Sequence, residues 1–157
     1  MITEDYVSFE NAKLLKEKEF NEPCRLYYDK YHGYVPIFVE DSKLTEYGYK
    51  EFVRNDQNSI FDFIASAPSL YIAMKWLREV HNIDIDIEAA VGMLGVKVYV
   101  PYISTYKPFE EASSKVRQIK RGIHYKDDQG VISALQYFDS YEEAVEAACL
   151  YVLKNLI

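Results

Sequence analysis

The carboxy-terminal stretch constrains the fold of this chain most. Ser140 and Glu143 stand at the spacing of a capping box, in which the serine accepts from the third helical N–H and the glutamate reaches back to the serine amide. Beyond them Tyr141, Ala144, Val145, Ala148, Val152 and Leu156 repeat at helical spacing and make one apolar face. The alanines keep that face thin, so that a sheet can approach the helix backbone closely. A helix of this shape requires an apolar sheet face to lie on, and the rest of the chain is expected to supply it.

Strand signals are present. Residues 83–88, Ile-Asp-Ile-Asp-Ile-Glu, alternate strictly, the period of a strand with one buried and one wet face. Val96, Val98 and Val100 repeat the alternation after Gly92 and Gly95, which predicts an antiparallel hairpin with a loose turn. A second hairpin is expected from 25–28 and 34–40 about a turn at Gly33, with Pro36 marking an edge or a bulge. A third is expected from 123–125 and 131–138 about Asp127-Asp128-Gln129-Gly130.

Three further helices are predicted. One runs over 9–20, with Ser8 as N-cap, Phe9, Ala12 and Leu15 on its apolar side, and Asn21-Glu22-Pro23 as its stop. Another follows Pro68, with Leu70, Ala73, Met74, Leu77 and Val80 in register and an exit at His81-Asn82. Between Pro108 and Gly122, Phe109, Ala112, Val116 and Ile119 have the spacing of a helical face. Residues 41–66 show no clear period, and short helical turns packed through Tyr47, Tyr49, Phe52, Ile60, Phe61 and Phe63 are expected there. Together these segments predict one α+β domain over residues 1–157. Its mostly antiparallel sheet of hairpins is packed by about three to four helices and closed by the amphipathic C-terminal helix.

At 157 residues, 49% of them apolar, the chain is long enough to bury a core without staples. No apolar run approaches the roughly 20 residues that span a bilayer, so no membrane contact is expected. Met1-Ile2-Thr3-Glu4-Asp5 is acidic where a secretory signal is basic and then apolar, which predicts a cytoplasmic chain. Cys24 and Cys149 have no second Cys or His at zinc spacing and are expected as reduced core thiols.

Few residues carry recognisable chemistry. Asp84, Asp86 and Glu88 project to one side of their strand about 6.5 Å apart, a row that holds a divalent cation if a neighbouring strand adds oxygens. His32, His81 and His124 lie in different elements and form no triad order with Cys24 or a serine. With six glycines and no phosphate-loop pattern, no nucleotide cofactor is expected. A net charge of −7 disfavours nucleic acid as a partner. The one basic run, Lys115, Arg117, Lys120, Arg121 and Lys126, beside Tyr125, is the alternative that keeps it open.

Fifteen tyrosines are the compositional oddity. Tyr27, Tyr28, Tyr31 and Tyr34 crowd one hairpin, with Tyr47 and Tyr49 in the segment after it. Exposed together, they make a protein-binding patch of the kind aromatic hot spots form; packed inward, they are core.

Residues 8–18 (Ser-Phe-Glu-Asn-Ala-Lys-Leu-Leu-Lys-Glu-Lys), residues 73–83 (Ala-Met-Lys-Trp-Leu-Arg-Glu-Val-His-Asn-Ile) and the run from Tyr141-Glu142-Glu143-Ala144 to Leu156-Ile157 also carry a resemblance. They resemble short uncharacterised proteins encoded by Bacteroides-type gut bacteria and their phages or prophages. The resemblance implies a context and no activity: a phage or prophage accessory protein in the bacterial host's cytoplasm. The expected function is a non-enzymatic interaction module for a host or phage protein, with homo-oligomerisation open. Nucleic-acid binding and, behind it, a metal-dependent enzyme are the alternatives.

Overall fold

A computed structural model describes residues 5–39, 51–56, 62–92, 94–108, 116–126 and 132–157; for 106–108, 116–121, 124–126 and 132–135 it gives the backbone path alone. The protein is α+β, with three α-helices and only antiparallel strand pairs among the described residues. The strands fall into two three-stranded sheets and a two-stranded ribbon, where the alternation had pointed to one sheet. The chain divides into two compact units, Met1–Ala73 with Ile157, and Met74–Leu156.

In the first unit, helix α1 (Phe9–Glu17) begins as expected, with the Ser8 Oγ accepting from the Asn11 N–H at 3.3 Å. It stops earlier than proline alone dictates. The Phe20 N–H donates to Leu15 O, the Glu19 N–H donates to Lys16 O, and Glu19 takes φ 66, a left-handed exit that satisfies the last carbonyls. The exit also seats Phe20 in the core near the end of the stripe that Ala12 and Leu15 begin, all three fully buried.

Strand β1 (Leu26–Asp29) is central, between β2 (Ile37–Phe38) and β3 (Phe63–Ala67). Its register runs Leu26 to Phe38 and Tyr27 to Ile37 on one side, and Leu26 to Ala67 through Tyr28 to Ala65 on the other. Strand β3 replaces the helical turns expected at the end of 41–66. Ala65, Ser66 and Ala67 are small and all buried, so the segment has no alternation to read. Tyr27 stacks on Phe63 at 5.9 Å and packs with Val39 and Val53, while the Tyr28 hydroxyl donates to Val7 O at 2.8 Å. Lys16 on α1 reaches β3, donating to Ile64 O at 2.8 Å.

Helix α2 (Leu70–His81) contributes its first turn to the first unit and the remainder to the second. In the second unit, β4 (Ile83–Val91) and β5 (Lys97–Pro108) form the predicted hairpin, paired from Ile83–Thr105 to Val91–Lys97. Over its second half the helix expected between Pro108 and Gly122 is replaced by a strand, and residues 109–115 lie outside the described residues. Residues 116–122 are strand β6 (Val116–Gly122), paired with β5 from Pro108–Val116 to Tyr102–Gly122. The physical reason is that β5 outruns β4 and its second edge needs donors and acceptors; β-branched Val116 and Ile119 fit a strand as well as a helical stripe, and pairing decides.

Strands β7 (His124–Lys126) and β8 (Ile132–Leu135) make the third hairpin. Helix α3 (Tyr141–Asn155) lies against β4 and β5. Its Ser140 Oγ accepts from the Glu143 N–H at 3.1 Å, and Ala144, Val145, Ala148, Cys149 and Val152 are fully buried. Among the described residues no helix is long and apolar enough to cross a membrane.

Candidate interaction site

The connection from β1 to β2 gathers polar and aromatic groups about one turn. Its anchor is Asp29, the last residue of β1, 8% exposed, where the ladder with β3 slips by a bulge. The Asp29 Oδ1 accepts from the Tyr31 N–H at 2.9 Å and the His32 N–H at 2.8 Å, and the His32 Nδ1 lies 3.0 Å from both carboxylate oxygens. An aspartate that accepts amides two and three residues on closes the turn upon itself. Gly33 at φ 62 carries the chain through the left-handed region, and the Val35 N–H donates to His32 O at 3.2 Å.

A second brace comes from the residue before β3. The Lys30 N–H donates to Asp62 O at 3.1 Å, and the Lys30 Nζ stands 3.5 Å from the Asp62 Oδ1. The Tyr31 hydroxyl bonds the same carboxylate, and that bond with the Asp62 charge raises the phenol above its ordinary value. A third brace is aromatic: buried Tyr28 meets Phe9 edge-on at 5.3 Å, and Phe9 meets Tyr34 edge-on at 5.1 Å. Tyr34 is thereby tied to the core while remaining 80% exposed, and a groove of about 400 Å³ between Phe9, Lys13, Leu14 and Tyr34 flanks it.

The six tyrosines of the predicted patch therefore separate. Tyr27 and Tyr28 are core, because β1 is flanked on both sides and buried at every position. Tyr31, 76% exposed, and Tyr34 face solvent, joined by exposed Val35 within the same connection and by exposed Phe38 on β2. Tyr47 and Tyr49 lie outside the described residues.

No family model, curated protein or solved structure matches the chain. The geometry of the site is what speaks to function.

The other predicted site residues fall elsewhere in the chain. Asp84, Asp86 and Glu88 face Ser104, Tyr102 and Val100 across the ladder, and Asp84 lies 3.8 Å from Arg78. Among the described residues no three His, Cys, Asp or Glu side chains gather where they could hold a metal ion. Of the basic run, Arg117, Lys120 and Arg121 sit on β6 and Lys126 on β7, known by backbone alone, and Lys115 lies outside the described residues. His81 packs edge-on against Trp76 at 4.5 Å. Cys24 and Cys149 are buried free thiols, and burial raises both, Cys24 to about 12, which makes them poor nucleophiles.

One exposed feature escaped the sequence reading. The turn between β4 and β5 leaves Val91, Leu94 and Val96 bare, Leu94 at 92%. Its signal was available in the absence of any charged residue between Glu88 and Lys97.

Proposed function

We propose that this protein is a non-enzymatic interaction module that presents Tyr31, Tyr34 and Val35 to a folded protein partner. The observation that carries the reading is the braced turn: two tyrosine rings stand in water on a backbone held by Asp29 and by the residue preceding β3. Rings fixed in place lose little further freedom on binding, and tyrosine joins large apolar area to a polar tip. The partner that suits them offers apolar pockets for the rings with hydrogen-bonding groups at the rim for the hydroxyls. In the context implied by the resemblance, it is a host or phage protein met in the bacterial cytoplasm.

The test is photo-crosslinking from position 34 in the host cell, followed by affinity measurements with the protein it captures. Tyr31→Ala and Tyr34→Ala are each expected to weaken binding by about 2 kcal/mol, roughly thirtyfold. Tyr137→Ala, at a similarly bare ring on the second unit, is expected to change nothing. Equal losses at all three positions, or no captured protein, refute the proposal.

A further inference from the structure

We infer that the first unit carries a binding pocket for a small oxyanion, a carboxylate or phosphate, at the amino-terminal end of α2 between Ser69 and Arg25. A cavity of about 200 Å³ opens there, walled by Tyr6, Pro23, Arg25, Phe52, Ser69 and Ile72 among others. It is separate from the tyrosine turn in residues and in chemistry.

Three observations converge on an anion. The first is Ser69, which is 5% exposed and whose Oγ has no hydrogen-bond partner. A buried hydroxyl without a partner is costly, and native structures rarely keep one without a use. Ser69 stands at the cap position of α2, since its carbonyl accepts from the Ala73 N–H at 3.0 Å. In the corresponding places Ser8 and Ser140 turn their hydroxyls onto helix amides, whereas the Ser69 hydroxyl is left over.

The second is the helix end itself. The first amides of a helix have no helical acceptor and point outward with the positive end of the dipole. Here the Leu70 N–H is taken by Asp5 O, which leaves those of Tyr71 and Ile72, and Ile72 forms part of the cavity wall. Backbone N–H groups and a serine hydroxyl together at a helix start are the donor set that oxyanions use.

The third is Arg25, an exposed guanidinium on the same wall, held 5.9 Å over the Phe52 ring. Cys24 beside it adds no opposing charge at neutral pH, because burial keeps its thiol protonated. Glu22, whose charge reaches Cys24, is exposed to water. The remaining walls, Pro23, Phe52 and Ile72, suit an apolar body attached to the anion, and the volume lies below the roughly 300 Å³ that drug-sized ligands take. The ligand is therefore a small one.

The experiment titrates the intact protein with benzoate, acetate and inorganic phosphate against chloride at matched ionic strength, reading thermal stability and the amide resonances of Tyr71 and Ile72. At least one oxyanion is expected to raise Tm by about 2 °C or more and to shift both amides. The pattern among the three probes separates a carboxylate site from a phosphate site. Ser69→Ala removes an unsatisfied buried hydroxyl, so the variant is expected to fold at least as stably as the parent while binding tenfold or more weakly. Arg25→Gln is expected to bind more weakly by a similar factor. Stabilisation no greater than chloride gives, without shifts at both amides, overturns the inference, as does binding that survives either substitution undiminished.

Discussion

Two hairpin connections among the described residues expose apolar side chains, and they are built on different principles. The Asp29-to-Val35 turn of the first unit is closed by a side-chain carboxylate, by bonds to Asp62 and by a run of edge-on rings leading back to Tyr28. In the Val91-to-Val96 turn of the second, the bonds among the described residues are main-chain ones, with the Gly92 N–H donating to Val96 O at 2.8 Å and the Gly95 N–H donating to Gly92 O at 3.0 Å. Both leave large apolar groups in water. Among the described residues the first surrounds them with polar groups that fix their place and can discriminate among partners, and for that reason it is the stronger candidate for recognition. Exposed apolar area says that something is uncovered; a brace says that an orientation is being kept.

The largest expected effect breaks the first unit's polar framework at its centre. Asn55 is buried, with its Nδ2 donating to Phe20 O at 2.9 Å and its Oδ1 accepting from the Ser66 N–H at 2.8 Å. It joins the exit of α1 to β3, and β3 in turn follows the Asp62 brace. Asn55→Ala orphans a buried acceptor and a buried donor, so a loss of about 3 kcal/mol is expected in denaturant unfolding. A loss under about 1 kcal/mol would show that water replaces both bonds and that the framework is looser than its geometry.

Next in size is the brace itself. Asp29→Ala removes the acceptor of two amides and the partner of His32, and about 2 kcal/mol is expected to go with them. Asp29→Asn keeps an oxygen for the amides and is expected to lose about half as much. Proton exchange at the Tyr31 and His32 amides should accelerate in the alanine variant and not in the asparagine one. Equal exchange in both would place the brace elsewhere.

These contacts also mark the limit of what the sequence discloses. The serine N-caps of α1 and α3 and the Ile-Asp-Ile-Asp-Ile-Glu alternation are local codes, and each appears in the structure where the sequence predicts it. Strand β3 was hidden because Ala65-Ser66-Ala67 is buried at every position, and β6 because Val116 and Ile119 satisfy helical spacing while pairing with β5. The tyrosines could not be sorted from sequence, since whether Tyr27 is core depends on β1 having a neighbour on each side. The cavity beside Ser69 was equally out of reach: its walls come from separate stretches of chain, and an uncapped serine reads like a capping one.

A thiol in each unit gives a smaller comparison. Burial holds Cys24 at about 12 and raises Cys149 too, both from an ordinary value near 9. The folded protein therefore keeps these protons over a pH range in which the unfolded chain releases them. Their contribution is fully present below about pH 9 and is lost as pH rises towards the folded values, so stability is expected to fall by roughly 1 kcal/mol per thiol between pH 9 and 10. Cys24→Ala and Cys149→Ala should each flatten that slope, whatever they change at neutral pH. A slope unchanged in both variants assigns the alkaline loss to other groups.

The smallest effect on stability belongs to the bare turn of the second unit. Leu94 is almost wholly in water, so Leu94→Ser is expected to leave unfolding within about 0.5 kcal/mol of the parent. Its effect should appear in association, because an uncharged apolar tip is the kind of surface that self-associates when nothing covers it. Sedimentation at rising concentration is expected to show weaker self-association for Leu94→Ser than for the parent, and no such change for Tyr34→Ala. Were Tyr34→Ala the variant that reduced self-association, the two turns would exchange roles: the braced turn would then contact a second copy of the chain, and the apolar tip would be the surface left for another partner.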